Sequence, residues 1–253
     1  MLKLYHAEPA ANSLKALITV KEKGLPFESI YVDLHKFEQH EPRFVAINPE
    51  GQVPVLDHDG HIITHTTVIG EYLEDAFPDA AALRPADALG KARMRYWNKF
   101  CDEHVVNFVS IHGWHRMVGA IARSVEAGEF EQLMARIPLP EQRAKWRSAR
   151  SGFSEAELAH ASAKIEAAVD KVERQLVNNQ WLAGDTYTLA DINFFASGGM
   201  ALERLFPQLQ VATRAPQLTQ WVTRMVERPA VKAAFAMPNR THPALRTFTG
   251  EAH

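Results

Sequence analysis

A proline inside an apolar strand constrains the fold of this chain more than any other feature. The segment Asn48-Pro-Glu-Gly-Gln-Val-Pro54 runs directly into an apolar pair, Val55-Leu56. Because proline donates no hydrogen bond to a sheet ladder, Pro54 must lie at an edge or a turn. A cis Val53–Pro54 bond would leave the N–H and C=O of Val53 facing outward, where an extended peptide can pair with them as an added strand. An ordinary edge strand without a ligand also fits this segment.

The first 80 residues alternate between strand and helix patterns. Strands are predicted at about 1–6, 27–32 and 53–56, and a fourth strand begins at 62–63, with Asp59-Gly60 as the turn of a hairpin. Helices are predicted over 14–23, capped by Asn12 or Ser13, and from 66 to 77. The polar segment 34–47 is predicted as a loop with a short helix. One crossover and one hairpin would feed the same sheet, as in a small α/β domain.

Helical periodicity dominates after the linker Leu83-Arg-Pro-Ala-Asp87. Helices are predicted over 89–123, 128–137, 154–177, 189–205 and 217–228, with prolines 138 and 140 breaking the chain. We therefore expect two domains, an α/β domain over 1–82 and an all-helical domain over 88–253. Thr188 and Asp191 have the spacing of a capping box, which indicates a firmly started helix with a structural role.

The composition favours a core-forming protein that binds neither nucleic acid nor membrane. Apolar residues make up 46% of the chain, and the net charge is −2 with no basic block. No apolar run approaches the ~18 residues of a membrane span, and the N-terminus lacks a secretory pattern. The single cysteine, Cys101, excludes an intrachain disulfide and favours the cytoplasm. Several histidines, such as His112 and His115, lack a third ligand at a telling spacing, so no metal site is predicted.

The stretch His65-Thr66-Thr67 lies where the second helix is expected to begin. The N-terminus of a helix offers unpaired N–H groups and a positive dipole end, which together favour an anion. Hydroxyl side chains at this point add further donors. The sequence therefore predicts an anion site at the start of this helix.

These segments together resemble the cytosolic glutathione transferases, with a thioredoxin-like α/β N-terminal domain followed by an all-α C-terminal domain. Within that superfamily the chain is most similar to the bacterial β-etherases of lignin catabolism. The resemblance spans about residues 2–236. Matching stretches are Ala11-Asn-Ser-Leu-Lys15, Lys36-Phe-Glu-Gln-His40, Ile47-Asn-Pro, Gly51-Gln-Val-Pro54, Glu71-Tyr-Leu-Glu-Asp75, Leu83-Arg-Pro-Ala-Asp87 and Pro140-Glu-Gln-Arg-Ala-Lys-Trp146.

The resemblance implies glutathione as co-substrate and a set of residues to hold it. Val53 would pair with the cysteine backbone of glutathione, and the 36–40 loop would meet its glycine carboxylate. The helix start at Thr66 would take the γ-glutamyl carboxylate. The implied residues are Lys36, Gln39, His40, Gln52, Val53, Pro54, His65 and Thr66.

The resemblance also places the thiol of glutathione near Asn12 and Ser13, at the start of the first helix. The reactive form is the thiolate, and a free thiol's pKa of ~8.5 leaves little of it at neutral pH. Ser13 would stabilise the thiolate with its hydroxyl, assisted by Asn12 and the helix dipole. A simple N-cap role for Ser13 remains an alternative, and Tyr5 is another possible hydroxyl donor.

For a β-etherase, the resemblance implies displacement of a phenol from a lignin-derived aryl ether next to a ketone, giving a glutathione thioether. Aromatic residues of the helical domain would line the substrate pocket, although each also fits a core position. The candidates are Phe108, Trp114, His115 and Trp146. The resemblance further implies a homodimer, or a heterodimer with a related transferase chain.

His65 departs from the pattern of the family, which usually has an acid before the capping hydroxyl. Losing that acid removes a charge-assisted hydrogen bond to the γ-glutamyl ammonium, worth roughly 1.5–3 kcal/mol. An acid such as Asp102, reaching across the dimer interface, is one possible compensation. A non-catalytic subunit that stabilises a catalytic paralogue is therefore the alternative hypothesis.

Overall fold

The structure, a computed structural model, describes residues 1–8 and 10–237 of the 253-residue chain. The last part of the predicted helical domain, 238–253, lies outside the described residues. Within the described residues, no helix combines the length and apolar character needed to cross a membrane. The division of the chain into domains over 1–82 and 88–253 stays a prediction.

A four-stranded sheet with the strand order β2-β1-β3-β4 forms the first unit. Strand β1 pairs in parallel with β2, where Leu4 faces Ser29. It pairs antiparallel with β3, where Leu4 faces Leu56. The crossover through α1 and the β3–β4 hairpin confirm the predicted connections. The elements of this unit are β1 (Leu2–His6), α1 (Ala11–Glu22), β2 (Phe27–Tyr31), α2 (Pro42–Val45), β3 (Val55–His58), β4 (His61–Thr64) and α3 (Thr66–Ala76).

Helices make up the remaining described part of the chain. The first of them is one long rod from 88 to 124, interrupted by π-helical turns at Cys101–Val105 and Trp114–Val118. The helices are α4 (Ala88–Phe100), α5 (Val106–Gly113), α6 (Gly119–Ser124), α7 (Ala127–Arg136), α8 (Pro140–Ser151), α9 (Glu155–Leu176), α10 (Leu189–Ser197), α11 (Leu202–Leu205), α12 (Val211–Arg214), α13 (Pro216–Glu227) and α14 (Pro229–Phe235).

Three of the predicted boundaries are wrong, each for a local reason. The first helix begins at Ala11 with Ala10 as its N-cap, so neither Asn12 nor Ser13 caps it. Pro140 begins helix α8 rather than only breaking the chain, since proline suits the first helical position. The predicted 189–205 helix ends at Ser197 because Gly198 has a φ of 144°, and a Cβ there would lie 2.7 Å from Val109.

The predicted capping box at the start of α10 is confirmed and is buried. The hydroxyl of Thr188 accepts from the N–H of Ala190, and the carboxylate of Asp191 accepts from the N–H of Thr188 at 3.0 Å. The same carboxylate accepts from the N–H of Leu182 at 2.9 Å and from Nε1 of Trp221 at 3.0 Å. One buried acid thus joins a helix start, the turn before it and helix α13.

We expect Asp191→Ala to reduce the free energy of unfolding by at least about 3 kcal/mol, because it leaves buried donors of Leu182, Thr188 and Trp221 without their acceptor. A second capping box, between Ser154 and Glu157 at the start of α9, is exposed and offers a matched control. Ser154→Ala should cost only about 1 kcal/mol. Equal losses for the two variants, measured by urea denaturation, would show that burial of Asp191 does not matter.

Candidate functional site

An open cleft lies between the edge of the sheet and the first long helix. It has a volume of about 360 Å³, within the size range of ligand pockets. Six of the residues predicted to contact glutathione line it together: Asn12, Gln52, Val53, Pro54, His65 and Thr66. The cleft is also lined by residues that were not predicted to contact glutathione, including Lys15, Asn48, Glu50 and Val106.

The loop before β3 presents the backbone of Val53 to this cleft. The Val53–Pro54 bond is cis, and the strand begins at Val55, directly after the proline. The side chain of Asn48 holds the loop by donating to the carbonyl of Gln52 at 2.8 Å and accepting from the N–H of Glu50 at 3.1 Å. An extended ligand can therefore approach Val53 along a fixed edge.

The N-terminus of α3 opens into the same cleft without a side-chain cap. Its N-cap residue is His65, whose φ of 63° lies in the left-handed region and whose side chain makes no capping hydrogen bond. A non-glycine residue in this region carries a strain of about 1–3 kcal/mol, and such strain is concentrated at functional sites. No side chain of the N-cap residue therefore occupies the first N–H groups of the helix. The anion site at this helix start stays a prediction.

Asp102 reaches this helix start within one chain. Its carboxylate accepts from the hydroxyl of Thr67 at 2.8 Å and from the amide of Asn193 at 3.2 Å. The ammonium of Lys15 lies 3.8 Å from it, and the Lys15 side chain is only 6% exposed. Burial lowers the pKa of Lys15, and the nearby charge of Asp102 opposes that effect.

A second acid lies beside His65. The carboxylate of Glu50 is 3.6 Å from Nε2 of His65, and both side chains are exposed to solvent. The cleft therefore contains two carboxylates, from Glu50 and Asp102, although the usual acid is replaced by histidine. Both carboxylates lie near a cation or a titratable ring, Glu50 near His65 and Asp102 near Lys15.

Asn12 and Ser13, the predicted thiolate stabilisers, occupy different environments. Asn12 is exposed and lines the cleft, directly after Ala11, whose φ of 45° is also left-handed. Ser13 is buried, and its Oγ accepts a hydrogen bond from the N–H of Ala7 at 3.0 Å. An accepting hydroxyl keeps its own hydrogen to donate. The catalytic role of Ser13 stays a prediction.

The predicted contacts to the glycine carboxylate, Lys36, Gln39 and His40, are not among the residues lining the cleft. Lys36 is exposed and lies 3.8 Å from Asp33. Gln39 and His40 are buried. Neither Oε1 of Gln39 nor Nδ1 of His40 has a hydrogen-bond partner among the described residues. Burial, aided by the charge of Arg136, lowers the pKa of His40 to about 4, so its ring is neutral at pH 7.

The four predicted pocket aromatics are half-buried and do not line the cleft. Trp146 lies 4.9 Å from the ring of Phe37 and 5.4 Å from that of Trp114. Phe108 packs against His160, and His115 against Phe153. The two tryptophans form a surface that meets the 36–40 loop, whereas Phe108 and His115 pack within the helical unit.

His112 is hydrogen-bonded to neighbouring helical residues, and Cys101 is buried in the core. Nε2 of His112 lies 3.1 Å from the carbonyl of Leu158 and from the hydroxyl of Ser162. Cys101 is fully buried, and burial raises the pKa of its thiol far above the ordinary value. The described residues contain no cluster of three or more metal-ligating side chains.

Comparison with known proteins decides the family. Residues 1–75 match the model of the glutathione S-transferase N-terminal domain, and residues 128–229 match that of the C-terminal domain. Protein LigF of Sphingobium sp. strain SYK-6 is 44% identical over 94% of this chain and 95% of its own length. This chain belongs to the glutathione S-transferase family.

Solved structures support the assignment of this chain to the glutathione S-transferase family. The crystal structure of the beta-etherase LigF from the same strain matches with a TM-score of 0.90, covering 94% of this chain and 99% of that one. A glutathione transferase homologue from sulfitobacter, solved with bound glutathione, is 25% identical with a TM-score of 0.66, over 92% of this chain and 96% of that one. The predicted fold class, a thioredoxin-like domain followed by helices, is confirmed.

Sequence reasoning missed Lys15 and Glu50 as residues of the cleft. Lys15 follows two residues after Ser13 on α1, and a lysine among apolar neighbours was a usable signal of a buried charge. Glu50 lies inside the same Asn48–Pro54 segment that pointed to the cleft. Its proximity to His65 depends on the hairpin that joins β3 to β4, and spacing alone does not reveal it.

We expect Ser13→Ala to reduce the free energy of unfolding by about 1–3 kcal/mol, because the buried N–H of Ala7 loses its acceptor. Asn12→Ala, one residue away on the exposed side, should leave stability within about 0.5 kcal/mol of the wild type. Chemical denaturation of both variants measures this difference. Equal stability of Ser13→Ala and the wild type would show that the Ala7–Ser13 bond contributes nothing.

Proposed function

We propose that this transferase is a glutathione-dependent β-etherase. It displaces a phenol from an aryl ether carbon next to a ketone, as in lignin-derived aromatics, and leaves a glutathione thioether. The observation that carries the proposal is the full-length likeness to the beta-etherase LigF, at 44% identity and a TM-score of 0.90. No observation on the described residues favours a non-catalytic subunit.

The cleft contains the groups that a γ-glutamyl tripeptide needs. The backbone of Val53 would pair with the cysteine residue of glutathione, and the uncapped N-terminus of α3 at Thr66 would take the γ-glutamyl carboxylate. The γ-glutamyl ammonium would lie between the carboxylates of Glu50 and Asp102. His65 fits beside these acids, because its contact with Glu50 at 3.6 Å keeps its charge, when present, paired.

Glutathione supplies the nucleophilic sulfur when it is bound, and the chain supplies orientation and charge stabilisation. The amide of Asn12 faces the cleft at the positive end of α1, where it favours the thiolate over the thiol. The hydroxyl of Ser13 adds a donor from behind and fixes the turn between β1 and α1 through Ala7. Lys36, Gln39 and His40 would contribute to the glycine carboxylate from the neighbouring loop.

We further propose a dimeric, cytoplasmic protein. Exposed apolar side chains on α3 and α4, including Val68 at 53% and Leu89 at 60% exposure, support a contact with a second chain. The one cysteine is buried and free, as suits a reducing compartment.

The purified protein is expected to release a phenol from a β-aryl ether ketone when glutathione is present and none when it is absent, as measured by liquid chromatography. Asn12→Ala and Ser13→Ala should each lower the rate by about 10- to 100-fold, because each removes a donor to the thiolate. A folded protein that binds glutathione but releases no phenol would contradict the proposed reaction.

Asp102→Asn should weaken glutathione binding by about one to two decades, because the ammonium loses a charge-assisted partner. Asparagine keeps an acceptor for Thr67, so the helix start is preserved. Glu103→Gln removes the same charge one residue away, from a side chain that pairs with Lys99 outside the cleft. Titration calorimetry on both variants separates the two cases, and an equal effect would assign the loss to general electrostatics.

A further inference from the structure

One stripe of side chains extends the cleft along the long helical rod. Asp102, Val106, Ser110 and Trp114 recur every four residues, so they lie on successive turns of one face. The first two line the cleft. Ser110 follows Val106 by one turn, about 6 Å along the axis. The two π-helical turns of the rod lie at the two ends of this stripe, and such turns occur often at functional sites.

A lysine from helix α8 meets the stripe just beyond the cleft. Nζ of Lys145 donates to Oγ of Ser110 at 3.0 Å and lies 4.7 Å from the ring centre of Trp114. Trp146, the next residue, packs on Trp114 and on Phe37. The ammonium is therefore held between a hydroxyl and an aromatic wall, one helical turn from residues that border the cleft.

No carboxylate of the described residues pairs with this ammonium, unlike that of Lys15. Burial alone lowers the pKa of Lys145 to about 8. A phenol has a pKa of about 10, so a proton moves downhill from this lysine to a phenolate. A half-buried cation without an anion suits a site where negative charge develops during a reaction.

We propose that Lys145 is the general acid that protonates the departing phenolate oxygen. This inference rests on the proposed β-etherase function. As sulfur attacks, the carbon–sulfur bond forms and the carbon–oxygen bond breaks, and the oxygen keeps the bonding electron pair. The Lys145 ammonium gives one proton to that oxygen, which leaves as a neutral phenol. The neutral amine then regains a proton from solvent.

The test compares two leaving groups in two β-aryl ether ketones, a methoxyphenol and the far more acidic nitrophenol. Lys145→Met should lower kcat for methoxyphenol release by about 100-fold, because that oxygen needs the proton. For nitrophenol, which leaves readily as an anion, the loss should be less than about threefold. A purely structural role for Lys145 would reduce both rates equally.

Lys171→Met is the matched control. The Lys171 ammonium also lies over aromatic rings of the helical unit, 4.5 Å from the centre of Phe100, but away from the cleft. Its loss should leave both rates unchanged. Lys145→Arg is a second variant in case Lys145→Met folds poorly, since arginine keeps the charge and holds its proton. It should show the same dependence on the leaving group.

Equal losses for the two leaving groups, or a Lys145→Arg protein as fast as the wild type with methoxyphenol, would overturn the assignment of Lys145. Failure of the β-etherase proposal looks different. The wild-type protein would then bind glutathione and release neither phenol, and both proposals would fall together.

Discussion

The buried carboxylate of Asp191 is the interaction on which the rest of this structure depends. It accepts from Thr188 at the start of α10, from Leu182 in the preceding turn and from Trp221 on α13. Removing a charge from water is costly unless donors surround it, so the three elements must keep their mutual positions. These hydrogen bonds fix the orientation of the core helix α10 relative to α13 and the preceding turn. The elements that pack on α10 are oriented by it in turn.

Helix α10 also connects the core to the cleft through hydrogen bonds. Two residues after Asp191, the amide of Asn193 donates to Asp102, which in turn accepts from Thr67 at the start of α3. Helix α10 and these two hydrogen bonds therefore join the core of the helical unit to the start of α3 in the sheet unit. Lys15 brings α1 into this network through its ion pair with Asp102. The position of the N-terminus of α3 is thus set from the interior.

How much the sequence predicts depends on how local each signal is. The strand pattern around Pro54 and the Thr188–Asp191 box were predicted, since both act over a few residues and one physical rule explains each. The start of α8 at Pro140 was missed because proline both ends and begins helices. Asp102 lies 35 residues from Thr67, so its place in the same chain's cleft depends on packing that no spacing rule describes. The burial of Ser13 and its hydrogen bond with Ala7 were not predicted, because they depend on how β1 and α1 pack.

The two parts of the chain contribute different kinds of groups to the site. The sheet unit offers backbone groups that need few particular side chains. In the proposed function, Val53 would pair with a peptide backbone and the start of α3 would take a carboxylate. The rod from 88 to 124 offers the charge at Asp102 and positions Lys145 through Ser110. Because backbone recognition depends on turns and prolines, short motifs reveal it. Charges placed by helix packing depend on the whole fold, and at that level related transferases can differ in chemistry while sharing one cleft.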